Sequence, residues 1–400
     1  MKLDQPLALL GGISAQEFMS VYWQRKPLLI RRAFSHFKSS LTPKDIRELV
    51  SREEVESRLI WQTDTGWHMQ TGPFDTLPPT EQAGWSVLAQ SVDLHDDATA
   101  ELLRHFRFIP DARIDDIMMS LASDGGGVGP HFDSYDVFLL QGYGRRRWRI
   151  SQQKDLSVIP ALPLKILQNF QPEEQYLLEP GDMLYLPPHV AHEGVAIGAN
   201  CITLSIGFRA PTLATLAHGV LDAAADQLAA QHDEGYGLYS DPPIAINDLQ
   251  IRYTDSGSRA TLTPAALPEK MIRKALAAVR QIDFTEHLAS RFLGVWLSSP
   301  PANADFIEQT PEHDLLELNS TYSGLLKLDR CTRLLYGTQE LYINGEVAPC
   351  PPSEALRNLA DRRQLKLHSH DFQTLASHER SMLNDWLQQG WLTLHAVGAE

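Results

Sequence analysis

Apolar side chains recur at every second position in two stretches of this chain, each with a small or polar opposite face. In Asp115–Ala122, one face carries Ile117, Met119 and Leu121, and the other Asp116, Met118, Ser120 and Ala122. In Cys201–Phe208, Ile202, Leu204, Ile206 and Phe208 alternate with Cys201, Thr203, Ser205 and Gly207. This two-residue period predicts strands with one buried face. Small hydroxyl-bearing faces offer a ligand room and hydrogen bonds, and they equally describe the solvent side of an antiparallel sheet. Further strands are expected at Phe132–Gln141, Arg145–Ile150 and Met183–Leu186, with a hairpin turn at Gln141–Gly144 and a turn at Pro180–Asp182.

Elsewhere the period lengthens. Thr42 followed by Pro43 and Asp45 marks a capped helix start. Beyond Pro211, the residues Leu213, Leu216, Val220, Leu221, Ala224 and Leu228 recur at helical spacing. Such a stripe is core when covered and a dimer face when exposed. Loops are expected at Gly235–Pro243 and Ser299–Pro301. The tail reads as a hairpin at Glu340–Gly345, helices at Ser353–Ala360 and His378–Gln389, and a strand over Gly390–Leu394. That order is winged-helix-like, but Arg357, Arg362, Arg363 and Lys366 are offset by acids, so a structural or substrate-positioning role is expected rather than nucleic-acid binding.

Two segments of the strand-rich part carry chemistry. His131-Phe132-Asp133 and His192 together supply two imidazoles and a carboxylate, the set that holds one face of a non-haem iron and leaves the other open. In a strand, residues 131 and 133 would point to the same side. His189 is a competing ligand, less favoured because it directly follows Pro187-Pro188, whereas His192 leads into Glu193-Gly194-Val195. In Arg145–Ile150, alternation puts Arg146 on the face of Trp148 and Ile150. A guanidinium turned inward is costly unless an anion meets it, and its fork suits a carboxylate. A dicarboxylate such as 2-oxoglutarate fits, one end on the metal and the other on Arg146. A structural ion pair or an RNA-gripping patch is the other reading.

These segments resemble a known family. Gly125–Phe138, Gln141–Trp148, Glu179–Asp182, His192–Gly194, Ser205–Pro211 and the earlier block Phe18–Arg31 are similar to the bacterial ribosomal oxygenases of the Jumonji-C group. The resemblance implies an α+β chain with a double-stranded β-helix (cupin/Jumonji-C) barrel, a helical dimerisation region and a winged-helix-like C-terminal domain. It implies a 2-oxoglutarate- and Fe(II)-dependent dioxygenase that uses O₂ to hydroxylate an arginine β-carbon in protein sixteen of the large ribosomal subunit. Carried over, His131, Asp133 and His192 would be the metal ligands, Arg146 would take the distal carboxylate, and Ser120 and Ser205 would contact the cosubstrate. Asp116 or Tyr135 is expected to hold the substrate guanidinium by charge or stacking. The corresponding domains are 1–211 (catalytic, with an N-terminal extension), 212–298 (helical, homodimerising) and 299–400 (winged-helix-like). A metalloenzyme of another protein residue such as histidine, or of a small molecule, and a non-catalytic binding barrel are the rival readings.

Composition adds bounds. At 400 residues and 43% apolar, the chain is long enough for two or three ordinary globular domains. Its net charge of −15 argues against general nucleic-acid binding and permits capture of a basic ribosomal protein. Lys2, Asp4 and the short apolar patch Leu7–Leu10 do not make a signal peptide, and no run reaches the ~18 apolar residues of a membrane span. Three scattered cysteines fit a reducing cytoplasm.

Overall fold

The computed structural model describes residues 3–230, 237–239, 251–309, 315–316, 324–367 and 369–396. The chain begins with α1 (Ala15–Val21), β1 (Leu28–Ile30), α2 (Pro43–Leu49), β2 (Ser57–Thr63), β3 (Gly66–Thr71), β4 (Trp85–Ala89) and α3 (Asp97–Leu103). The expected cap of α2 is present: the Thr42 hydroxyl accepts from the Asp45 amide and the Asp45 carboxylate accepts from the Thr42 amide. Next come β5 (Ile114–Ala122), β6 (Val137–Ser151), β7 (Glu174–Leu178), β8 (Met183–Leu186) and β9 (Ala191–Phe208).

Among the described residues these nine strands form one sheet of order β1-β8-β6-β9-β5-β4-β2-β3, with β7 also on β6. β6 and β9 pair antiparallel from Val137 opposite Gly207 to Ser151 opposite Ala191. The sheet curls into the double-stranded β-helix, so that residues from both ends of β6 (Val137 and Leu139, Arg146 and Trp148) line one cavity with β2, β4, β5 and β9. The alternation in β5 and β9 holds: Ile117, Met119, Leu121, Ile202, Leu204, Ile206 and Phe208 are buried in the main core with Phe18, Trp23 and Phe106. From the opposite faces, Asp116, Met118, Ser120, Thr203, Ser205 and Gly207 turn into the cavity, whereas Ala122 and Cys201 pack with Ala196.

Two expectations are corrected. The strand predicted at Phe132–Gln141 starts only at Val137, and His131 forms an isolated bridge to His192 instead. The intervening loop is tied elsewhere: buried Asp136 accepts from the Tyr185 hydroxyl at 2.6 Å and from Gln24 Nε2 at 3.1 Å. Nor is Gln141–Gly144 a hairpin turn, because β6 runs straight through it and its register against β9 shifts around Tyr143. Gly144 has φ +65°, and a Cβ there would stand 3.3 Å from Cys201 Cα. A bulge and a tight turn ask for the same glycine, so sequence alone does not separate them.

Downstream lie α4 (Leu213–Ala229), α5 (Glu269–Val279) and α6 (Glu286–Ser298). The stripe expected on α4 is only partly covered: Ala224 is buried, whereas Leu213 and Leu221 are exposed. The loop expected at Gly235–Pro243 lies outside the described residues apart from Gly237–Tyr239. The tail comprises β10 (Gly324–Leu328), β11 (Leu334–Tyr336), β12 (Leu341–Ile343), β13 (Glu346–Val347), α7 (Glu354–Arg362), β14 (Gln364–Lys366), α8 (His370–Gln373), α9 (Ser377–Gln388) and β15 (Leu392–Ala396). Its sheets, β14-β10-β15 and β11-β12-β13, and three helices share a separate core. The β12–β13 hairpin turns on Asn344 and Gly345, both at positive φ as a two-residue loop prefers. Cys201, Cys331 and Cys350 are buried free thiols. Among the described residues no helix is long and apolar enough to cross a membrane.

Candidate active site

The backbone bridge between His131 and His192 brings the two imidazoles together, with ring centroids 4.2 Å apart. One possible ligand atom from each of His131, Asp133 and His192 lies within 4.8 Å of the others. Each histidine donates its Nδ1 hydrogen to the carbonyl two residues earlier, Gly129 for His131 and Val190 for His192, both at 2.9 Å. A carbonyl can only accept, so in the neutral ring each Nδ1 holds the hydrogen and each Nε2 the lone pair that a metal needs. His192 Nε2 stands 3.6 Å from Asp133 Oδ2. Burial, and then the neighbouring His131, push the His192 pKa down to about 4, which keeps it neutral. His189 does not join this group. Its amide donates to the Asp133 carbonyl at 2.7 Å and its ring lies against Phe132.

The cavity encloses about 380 Å³. Arg146 in its wall is only 4% exposed. Its Nη2 donates to Ser120 Oγ and its Nη1 to the Gly194 carbonyl, both at a long 3.4 Å, and its Nε is buried without a partner. Among the described residues no carboxylate pairs with it. Trp148 lies between the two ends: its ring is 5.8 Å from the Arg146 guanidinium carbon and 5.8 Å from the His192 ring. A buried cation held by two long bonds is the environment that a small carboxylate would complete. The donor set of two imidazoles and a carboxylate suits a divalent first-row metal.

At the other end, Asp116 and Tyr135 flank Gly207, where a Cβ would come 3.5 Å from Asp116 Oδ1 and 4.0 Å from Tyr135 Cε2. Asp116 Oδ2 accepts from the Ser91 amide and hydroxyl at 2.9 and 3.1 Å. Burial, then the charge of Asp115, push its carboxyl above the ordinary range, so an arriving cation would be welcome. Ser205 lines the cavity between the two ends, opposite Met118 in register. The sequence reading missed one wall: Arg58 and Ile60 of β2 and Ser86 and Leu88 of β4 also face inward. Their alternation was readable, but which strand β2 and β4 would pair with was not.

Comparison with known proteins agrees with this arrangement. The model of the JmjC domain matches residues 101–216, and that of the ROXA-like winged helix matches residues 275–393. The ribosomal protein uL16 3-hydroxylase of Escherichia coli is 35% identical over 86% of this chain and 88% of its own. A probable ribosomal oxygenase of Haemophilus influenzae is 30% identical over 95% and 96%. The structure of the ribosomal oxygenase YcfD from Escherichia coli in complex with cobalt and 2-oxoglutarate superimposes with a TM-score of 0.75 at 28% identity, covering 95% of this chain and 98% of that one. With two relatives at 35% and 30% identity over most of both chains and both domain models matched in order, the chain belongs to the ribosomal oxygenase family of JmjC-domain proteins.

Proposed function

We propose that this chain is an Fe(II)- and 2-oxoglutarate-dependent protein hydroxylase that acts on the β-carbon of an arginine in ribosomal protein uL16. The observation that carries the reading is one cavity holding the His131, Asp133 and His192 donor set and, across Trp148, a buried arginine that no carboxylate among the described residues pairs with. The two histidines and Asp133 would hold the iron through Nε2 and carboxylate oxygen. Arg146, braced by Ser120, would receive the distal carboxylate of the cosubstrate, with Ser205 on the same wall. When bound, iron with 2-oxoglutarate and O₂ supplies C–H hydroxylation coupled to release of succinate and CO₂. The protein's part is placement. Asp116 pairs with the substrate guanidinium, Tyr135 stacks beside it, and the apolar walls exclude water.

The test is succinate release by the iron-loaded protein with and without synthetic uL16 peptides, beside a His131→Ala control. Peptide-stimulated succinate and the mass of one oxygen atom on an arginine are expected. Oxygen on a histidine would move the assignment to histidine hydroxylation, and turnover of free amino acids alone would sink the protein-substrate reading.

For the chain as a whole, residues 1–211 would be the catalytic unit, 212–298 a homodimerising helical region and 299–400 the winged-helix-like domain. The dimer is supported by α5, which buries none of its residues: Met271, Ile272, Leu276 and Val279 are 44–57% exposed. An amphipathic helix with its apolar side uncovered is what a second copy would cover.

A further inference from the structure

The mouth of the cavity is built on an irregularity. On β5 and β9, Ile114 faces Phe208 and Ile117 faces Ile206, so Asp115 and Asp116 together oppose Gly207 alone. Two residues against one is a β-bulge, a device that re-aims side chains and leaves backbone groups without ladder partners. Here the partners come from outside the sheet. The Ile117 amide donates to Asp93 Oδ1 at 2.8 Å, and Ser91 holds Asp116 Oδ2. On the Asp115 side, Arg209 Nε meets the carboxylate at 3.3 Å. The Asp115 carbonyl accepts from Arg333 Nη2 at 3.1 Å.

Arg333 belongs to the winged-helix-like domain, just before β11. Its other arm, Nη1, donates to the Ser299 carbonyl at 3.3 Å, and its own amide donates to Asn344 Oδ1 at 2.9 Å. One guanidinium fork therefore ties the C-terminal domain to the strand that carries Asp116. Other arginines also stitch this seam, Arg330 to the Leu94 carbonyl and Arg107 to the Ala360 carbonyl. Neither of those reaches the bulge.

We propose that Arg333 is a positioning residue for substrate recognition, through which the winged-helix-like domain holds the Asp115–Asp116 bulge and aims Asp116 at the substrate guanidinium. This inference rests on the pairing of Asp116 with substrate given above. It assigns the C-terminal domain a share in the binding of the target segment at a distance from the reacting atoms. The fork geometry matters, because a lysine ammonium would not hold both carbonyls in one plane.

The test is a double-mutant cycle in the full-length, iron-loaded protein with a uL16 peptide. Arg333→Ala is expected to raise the peptide KM roughly threefold to tenfold, with kcat at saturation little changed. Arg333→Lys should recover part of that loss. The Kd for 2-oxoglutarate, measured calorimetrically with Co(II), should stay at the wild-type value, which shows that the barrel is intact. In an Asp116→Asn background, Arg333→Ala should add nothing further. Additive effects, an unchanged peptide KM, or a parallel fall in every parameter would overturn the inference. If Asp116→Asn raises KM and Arg333→Ala does not, the Arg333 role alone fails. If Asp116→Asn itself leaves KM unchanged, the pairing fails and the inference goes with it.

Discussion

Arg146 is the residue whose removal asks most of the cavity. Truncating one partner of a buried charge pair costs about 2–5 kcal/mol, so Arg146→Ala should weaken 2-oxoglutarate binding by roughly thirtyfold or more. Calorimetry with Co(II) in place of iron reads this directly, and Arg146→Lys should fall between. An unchanged Kd would remove Arg146 from the cosubstrate end. A second residue-scale expectation concerns Asp93, whose carboxyl is pushed up to about 7, chiefly by burial. Because the native state holds this proton more tightly than the unfolded chain, the associated stability is complete below the unfolded value of about 4 and is lost as pH rises through about 7. Asp93→Asn keeps an oxygen for the Ile117 amide and removes the ionisation. Its melting temperature should therefore fall less between pH 5 and pH 8 than that of the wild type, and parallel curves would refute the assignment.

For the elements, the bulge in β6 carries the sharpest prediction. Gly144→Val puts a branched side chain at positive φ, 3.3 Å from Cys201 Cα, and should cost about 1–3 kcal/mol, read as a lower midpoint in urea. A midpoint within error of the wild type would mean that the bulge relaxes freely. The same stretch shows where sequence stops being sufficient. The core-facing sides of β5 and β9 were legible, because Ile117, Met119 and Leu121, like Ile202, Leu204 and Ile206, announce which side is buried. Arg146 was legible because it shares a face with Trp148 and Ile150. The continuity of β6 through Gly142 and Gly144 was not, since glycines punctuate turns and bulges alike. Nor was the late start of β6, which depends on Asp136 finding Tyr185 and Gln24, partners far away in the chain. The wall made by Arg58 and Ser86 stayed hidden because strand pairing is not written into a strand.

At the scale of the whole molecule, the proposed dimer rests on the uncovered apolar side of α5. Leu276→Asp together with Met271→Asp should turn a dimer into a monomer by light scattering, with the melting behaviour of the barrel retained; a wild-type monomer would dispose of the idea at once. A different consequence follows from the strand order. β9 lies between β6 and β5, yet it is the last strand of the barrel to be made. During synthesis, at about 5–20 residues per second, β5 and β6 must wait several seconds for the strand that separates them, with unpaired edges open to wrong partners. Such non-local pairing is slow even in a complete chain. A race therefore runs between the arrival of β9 and aggregation, and added chaperone should raise the soluble yield more than it does for proteins whose strands pair in order.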